Sequence, residues 1–172
     1  EKQGNDKGER PELTAQIPPV NLTGQVMMYA PEMDITTCEA LAQCDCCAGI
    51  YLFIDDRQVM QMDYCEGDRR YRKGTYEIRN QEVTLRFEGL VIDQLINRDE
   101  EGVESSENRY VFEETNGESS VITLTQLQCE KNLAFDTGDE MTPFATLVTS
   151  FQFSDVIRGM KEEGVWSRLK MN

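Results

Sequence analysis

Two apolar patterns run through this chain, and both are strand patterns. In the middle third, Tyr76 and Ile78 alternate with Thr75, Glu77 and Arg79, and Val83, Leu85 and Phe87 alternate with Thr84, Arg86 and Glu88. Successive side chains of a strand point to opposite faces, so a period of two predicts strands with one buried face and one wet face. Asn80-Gln81 between the runs is a tight turn. Upstream, residues 50–54 are apolar at every position, as in a strand covered on both faces. A polar turn at 55–58 leads to a strand over 59–64, where Met60, Met62 and Tyr64 share a face taken as inward.

The flanks extend the pattern. Residues 22–29 read as a first strand that begins after Gly24 and ends at Pro31, and 34–43 as a short helix or irregular excursion. Residues 67–73 read as a polar loop carrying the one basic cluster, Arg69, Arg70, Arg72 and Lys73, a solvated hairpin loop or a patch for an anion or partner. Residues 90–96 are apolar without alternation, and 97–108 are an acidic, Gly- and Ser-bearing loop. Strands over 110–113 and 121–128 flank Asn116-Gly117, a strong hairpin signal. A strand over 144–153 follows. A helix capped at Ser154 runs through Lys161 to a stop at Gly164, and 165–171 is a closing strand. Seven to nine short strands, mostly antiparallel neighbours, leave edges exposed unless the sheet closes. The expected fold is therefore all-β: an antiparallel up-and-down meander closing into a small barrel, with a short C-terminal helix. Residues 1–19 form a polar tether ending in Pro18-Pro19, and 20–172 a single β-barrel domain.

Charge and composition remove several functions. The net charge is −15, which repels phosphate and argues against nucleic acid or an anionic bilayer as partner. No apolar run reaches the ~18 residues that a membrane-spanning helix requires. The chain has no histidine, so Ser-His-Asp and Cys-His catalysis within it are excluded, and no other nucleophile–base constellation suggests an enzyme. Six cysteines point to an oxidising compartment. With the polar N-terminal stretch, they give the expectation of a processed secreted protein. A lipid anchor preceding residue 1 would be its one link to a membrane.

Cys44-Asp45-Cys46-Cys47 leads directly into the apolar strand at Ile50, with Cys38 just upstream. Three chemistries are open to it. Disulfides use all six candidates, Cys38, Cys44, Cys46, Cys47, Cys65 and Cys129, in one of fifteen pairings; adjacent Cys46 and Cys47 are poor partners for each other. A soft metal, copper or zinc, would take Cys38, Cys44, Cys46 and Cys47 as thiolates, with nearby methionines adding thioethers. Redox chemistry at Cys44 and Cys47 lacks a helix N-terminus or cation to lower a thiol pKa. Asp136, Asp139 and Glu140 share a Gly-bearing loop but lack the ligand spacing of an EF-hand.

Cys44 to Ile50 resembles the Cys-x-x-Cys-x-Gly-Ile signature of the NlpE family of bacterial envelope lipoproteins, the copper-resistance lipoproteins. A strand, a turn and a strand ending in Tyr64 follow, and Gly74-Thr75-Tyr76 is similar to the family's Gly-Thr-aromatic strand start. The resemblance covers about Cys44 to Phe87. It implies a lipocalin-like barrel anchored by lipid in the cell envelope, a bridge between Cys44 and Cys47, and links to copper and to stress signalling. Cys46, Cys38, Cys65 and Cys129 depart from the family pattern. The function expected is non-enzymatic: a secreted or lipid-anchored envelope protein, its disulfide-stapled barrel binding a small apolar ligand or an envelope protein partner. The alternatives are a copper-binding protein using the cysteine cluster and a structural or stress-signalling lipoprotein. An interior filled by side chains such as Met62, Tyr76, Ile78 and Phe87 would remove the small-ligand version.

Overall fold

A computed structural model of the chain describes residues 20–41, 47–129, 132–149 and 152–171; the tether expected over 1–19 lies outside them. Among the described residues, ten strands and two short helices follow one another as β1 (Val26–Ala30), β2 (Cys47–Phe53), β3 (Gln58–Cys65), β4 (Asp68–Arg79), β5 (Glu82–Phe87), β6 (Leu90–Ile96), β7 (Tyr110–Asn116), β8 (Ser120–Gln126), β9 (Ala134–Asp136), β10 (Phe144–Leu147), α1 (Phe153–Glu162) and α2 (Val165–Arg168). Eight strands close an antiparallel ring in the order β1, β2, β3, β4, β5, β8, β9, β10 and back to β1. The expected all-β barrel with a helix near its C-terminus is the fold observed.

The ring is not equally closed along its length. β4 pairs with β5 through Gly74–Arg79 and with β6 through Arg69–Tyr71. Both partners run antiparallel to β4, so β5 and β6 point the same way and act as one bent strand broken at Glu88-Gly89. β7 and β8 repeat this geometry one position further out. Their break faces the first: Gly117 N–H donates to the Gly89 carbonyl at 2.8 Å. A Cβ on Gly89 would collide with the Gly117 carbonyl, which is why the closest approach of the two breaks falls on glycines. Asn116-Gly117 is therefore not the hairpin turn the sequence suggests, and β7 and β8 do not pair. The ring closes where β9 meets β8, at Thr125 and Gln126 alone. The β6–β7 hairpin flares away beyond that point.

Two apolar clusters explain the two sequence patterns. Inside the barrel lie Met27, Tyr51, Phe53, Val59, Tyr76, Val83, Leu85, Phe87, Leu124 and Phe135, and Leu22, just before β1, is fully buried in the same cluster. On the outer face of β1 to β4 and β6 lie Val26, Ile50, Leu52, Met60, Tyr71 and Ile92, under Met160, Val165 and Leu169 of the C-terminal segment. β2 is apolar throughout because Tyr51 and Phe53 face the interior while Ile50 and Leu52 face the helices. The same division corrects the reading of β3: Met60 and Met62 belong to the outer cluster, and Val59 points inward. It corrects the C-terminus too. The segment expected as a closing strand is the short helix α2, because Val165 and Leu169, four residues apart, both reach the outer cluster. Gly164, in the left-handed region at φ 82°, separates it from α1 as expected.

Of three local expectations, two hold and one changes. The first strand runs Val26–Ala30, after a turn at Gly24 (φ 73°), where the sequence places its start. The described part of the excursion after β1, residues 31–41, takes the irregular form of the two expected and is held by a Met33–Ala40 bridge. The basic cluster is strand, not loop: β4 begins at Asp68, straight after the turn at Glu66-Gly67, because Tyr71 is wholly buried under the helices and draws its neighbours into the sheet.

Candidate functional site

The polar and charged side chains of the inner face gather at the end of the barrel where β1 finishes, β2 starts, β3 finishes and β4 starts. Register alone brings them together. Tyr29 lies opposite Gly49, Gly49 opposite Asp63, Asp63 opposite Arg70, Arg70 opposite Asp93, and Asp93 opposite Glu113. This is one row across six strands, on the face that lower in the barrel carries the apolar interior. The next row inward is Met27, Tyr51, Gln61 and Arg72; the row beyond the charges holds Cys47, Cys65 and Asp68.

Gly49 is what lets the row connect. A Cβ there would fall inside the ring of Tyr29, which lies across the glycine and donates its hydroxyl to the Asp63 carboxylate. The hydroxyl also accepts a 3.4 Å bond from the Gln61 amide. Asp63 is half-buried; burial raises its carboxyl above the usual range, and Arg70 and Arg72 oppose that shift. Arg70 grips Asp93 with two bonds, Nε to Oδ1 at 2.7 Å and Nη2 to Oδ2 at 3.2 Å. Asp63, Cys65, Asp68, Arg69, Arg70, Asp93 and Leu95 line a shallow cleft of about 260 Å³.

The basic cluster is spent on the fold. Arg69 faces the helix side and reaches Glu163 at 3.5 Å, and Glu163 also accepts a 2.7 Å bond from the buried Gln94, which accepts from the Tyr71 hydroxyl at 2.9 Å. Arg72 donates to the Glu88 and Glu118 carbonyls, both at 3.0 Å, and lies over the Phe87 ring. Lys73 meets Glu88 at 3.6 Å. Paired in this way, the four cations form no free anion patch.

Four of the six candidate cysteines are described, and all four are bridged. Cys38 joins Cys129 across 91 residues, and Cys47 joins Cys65 across 18. Cys47 and Cys65 are directly opposed in the ladder, so the register of β2 on β3 selects this pair. The Cys44–Cys47 bridge implied by the family resemblance is therefore not formed. Cys44 and Cys46 lie outside the described residues. A thiolate metal site using Cys38 and Cys47 would require both bridges to be reduced first. Among the described residues, no group of three or more potential ligands is placed to hold a metal. In the Asp136–Glu140 loop, Asp139 spends its carboxylate on the Met141 and Thr142 amides, at 2.7 and 3.0 Å.

Sequence reasoning missed Tyr29, Asp63, Asp93 and Glu113. A signal was present: aspartate is disfavoured in strands, and Asp63 and Asp93 both interrupt apolar runs. No protein-family model, curated protein or solved structure matches this chain. The class rests on fold and bridges alone: a disulfide-braced, eight-stranded antiparallel barrel with a flared, charged end.

Proposed function

We propose that this chain is a non-enzymatic secreted or lipid-anchored envelope protein of the NlpE-like type, whose barrel is a rigid frame presenting its flared end to a protein partner. One observation carries the choice of a protein over a small apolar ligand. The barrel interior is occupied by its own side chains: Phe53, Leu85, Leu124 and Phe135 are fully buried there, and Tyr51, Tyr76 and Phe87 nearly so. Tyr76 and Phe87 were two of the four side chains whose presence inside would remove the small-ligand version; Ile78 packs against the same cluster, and Met62 lies outside. An interior filled in this way has the packing of a core rather than a carrier cavity.

Support for the envelope setting comes from the two bridges, which suit an oxidising compartment, and from the NlpE-like signature. A braced frame favours partner binding because little conformational freedom is lost on association. The test is native mass spectrometry and thermal unfolding of the oxidised chain with saturating palmitate, laurate and retinol. The expected result is no bound mass and no rise in Tm. A one-to-one complex with a raised Tm would assign the barrel to a small ligand and overturn the reading.

A further inference from the structure

We propose that the outer edge of β7 receives an extended, Lys- or Arg-bearing segment of a partner protein by strand addition; this rests on the partner-binding reading above and specifies where and how it occurs. β7 pairs with β6 on one side, and among the described residues nothing pairs with its other side. The edge exists because β9 is three residues long and reaches β8 only at Thr125 and Gln126, so no strand covers the flare.

Main-chain bonds at both ends of the β6–β7 ladder fix which groups are free. Asn97 N–H donates to the Arg109 carbonyl at one end, and Gly117 N–H to the Gly89 carbonyl at the other, each at 2.8 Å. In an antiparallel ladder, bonded and non-bonded pairs alternate. Val111, Glu113 and Thr115 therefore turn their N–H and C=O groups toward β6. Tyr110, Phe112, Glu114 and Asn116 turn theirs outward. A row of outward amides and carbonyls on a seven-residue strand is a template for another strand.

Charge selects the occupant. Residues 97–118 hold eight acids and two arginines. Arg98 is engaged with Glu104 at 3.5 Å, and Arg109 lies over the Tyr110 ring. Glu113 faces Asp93 across the ladder, like charge against like, while Arg70 is committed to Asp93. Among the described residues Glu113 and Glu114 have no ion-pair partner. They extend to the two faces of the strand, so an added strand meets a carboxylate whichever face its own side chains take. A second copy of β7 would set these glutamates against each other, so the edge repels its own kind and favours a basic strand.

The experiment uses the full oxidised chain and three eight-residue peptides: alternating Val and Lys, alternating Val and Glu, and alternating Gly and Lys. Calorimetry reads affinity, and amide hydrogen exchange reads location. The expected result is binding of the Val-Lys peptide alone, with exchange slowed at Tyr110, Phe112, Glu114 and Asn116. Glu114→Pro removes one outward amide without touching the β6 ladder, and should weaken binding at least tenfold with Tm little changed. Should that variant fail to fold, the Glu113→Lys/Glu114→Lys pair gives the same reading, with preference moving toward the Val-Glu peptide. Equal binding of the Gly-Lys peptide, slowed exchange elsewhere, or no binding at millimolar peptide would each overturn the edge assignment and leave the partner-binding reading standing. A peptide-free dimer protecting the same four amides would give the edge to a second copy and likewise overturn it. Failure of the partner-binding reading itself is recognised separately, by a small molecule held inside the barrel.

Discussion

The two ends of this barrel are built from the same strands and differ in almost everything else. Toward the turns at 54–57 and 80–81, the inner face carries Phe53, Val59, Tyr76, Val83, Leu124 and Phe135, and the ring is closed. Toward Cys47, Cys65 and Asp68, the same face carries Tyr29, Asp63, Arg70, Asp93 and Glu113, and the sheet flares open. Apolar surface is stabilised only where it is removed from water, so closure and apolar filling go together. Charges require solvent or partners, so the polar row and the flare go together as well. The bridges follow this division. Cys38–Cys129 closes a loop of 91 residues, worth about 4–5 kcal/mol by chain entropy, and ties the irregular excursion to the segment after β8. Cys47–Cys65 closes 18 residues, worth about 3 kcal/mol, and pins the rim of the charged end. The closed end has its apolar core inside the ring, whereas the open end has its core on the outer face under the helices and, inside, a polar row pinned by a covalent rim.

The sharpest way to break this comparison is to make one substitution at both ends. Phe135→Ala, inside the closed end on the strand that completes the ring, should cost about 3–5 kcal/mol in denaturant unfolding. Phe112→Ala, on the flare and only partly buried beneath Arg168, should cost less than about half of that. Equal losses would mean that the flare is as much core as the ring. A smaller effect tests the polar row itself. Gly49→Ala puts a methyl group into the Tyr29 ring and should cost about 1–3 kcal/mol. If the ring is the cause, the double variant Gly49→Ala/Tyr29→Ala should cost no more than Tyr29→Ala alone. Additive losses would place the strain elsewhere.

Much of the closed end was legible in the sequence. The alternation of 75–79 and 82–87 gave the β4–β5 hairpin and its inward faces, and the unbroken run at 50–54 gave a strand buried on both sides. The flare was not legible, for identifiable reasons. Arg69 to Lys73 look like a loop by composition, and they are strand only because Tyr71 is buried by helices more than 80 residues later in the chain. Asn116-Gly117 carries a hairpin signal, but long-range pairing of β7 with β6 and of β8 with β5 overrides that local preference. The choice of Cys65 for Cys47 depends on the β2–β3 register, which cysteine spacing does not encode. The polar row depends on register across six strands, and no single segment of sequence contains that information.

The finest test of the comparison is the pH dependence of Asp63. In the closed end a carboxylate would be untenable; in the open end it is half-buried between Tyr29 and two arginines. Burial is the larger effect and raises its pKa in the folded state above the ordinary 3.8, with Arg70 and Arg72 pulling the other way. A folded-state pKa above the unfolded one means that the native protein binds the proton more tightly. Asp63 therefore contributes most to stability below pH 3.8, and that contribution is lost as pH rises through the raised folded value. Asp63→Asn keeps the shape and an oxygen that accepts from the Tyr29 hydroxyl, but it does not titrate. Relative to the natural chain, the Asn variant should gain stability as pH rises from below 3.8 toward 7. The difference between them at neutral pH should stay under about 1 kcal/mol, because the hydrogen bond survives. Unfolding midpoints measured for both proteins across that range decide the matter. If the Asn variant instead falls behind as pH rises, the arginines outweigh burial, and the row at the open end is a stabilising ion network rather than a half-buried row in which Asp63 is held charged at a cost.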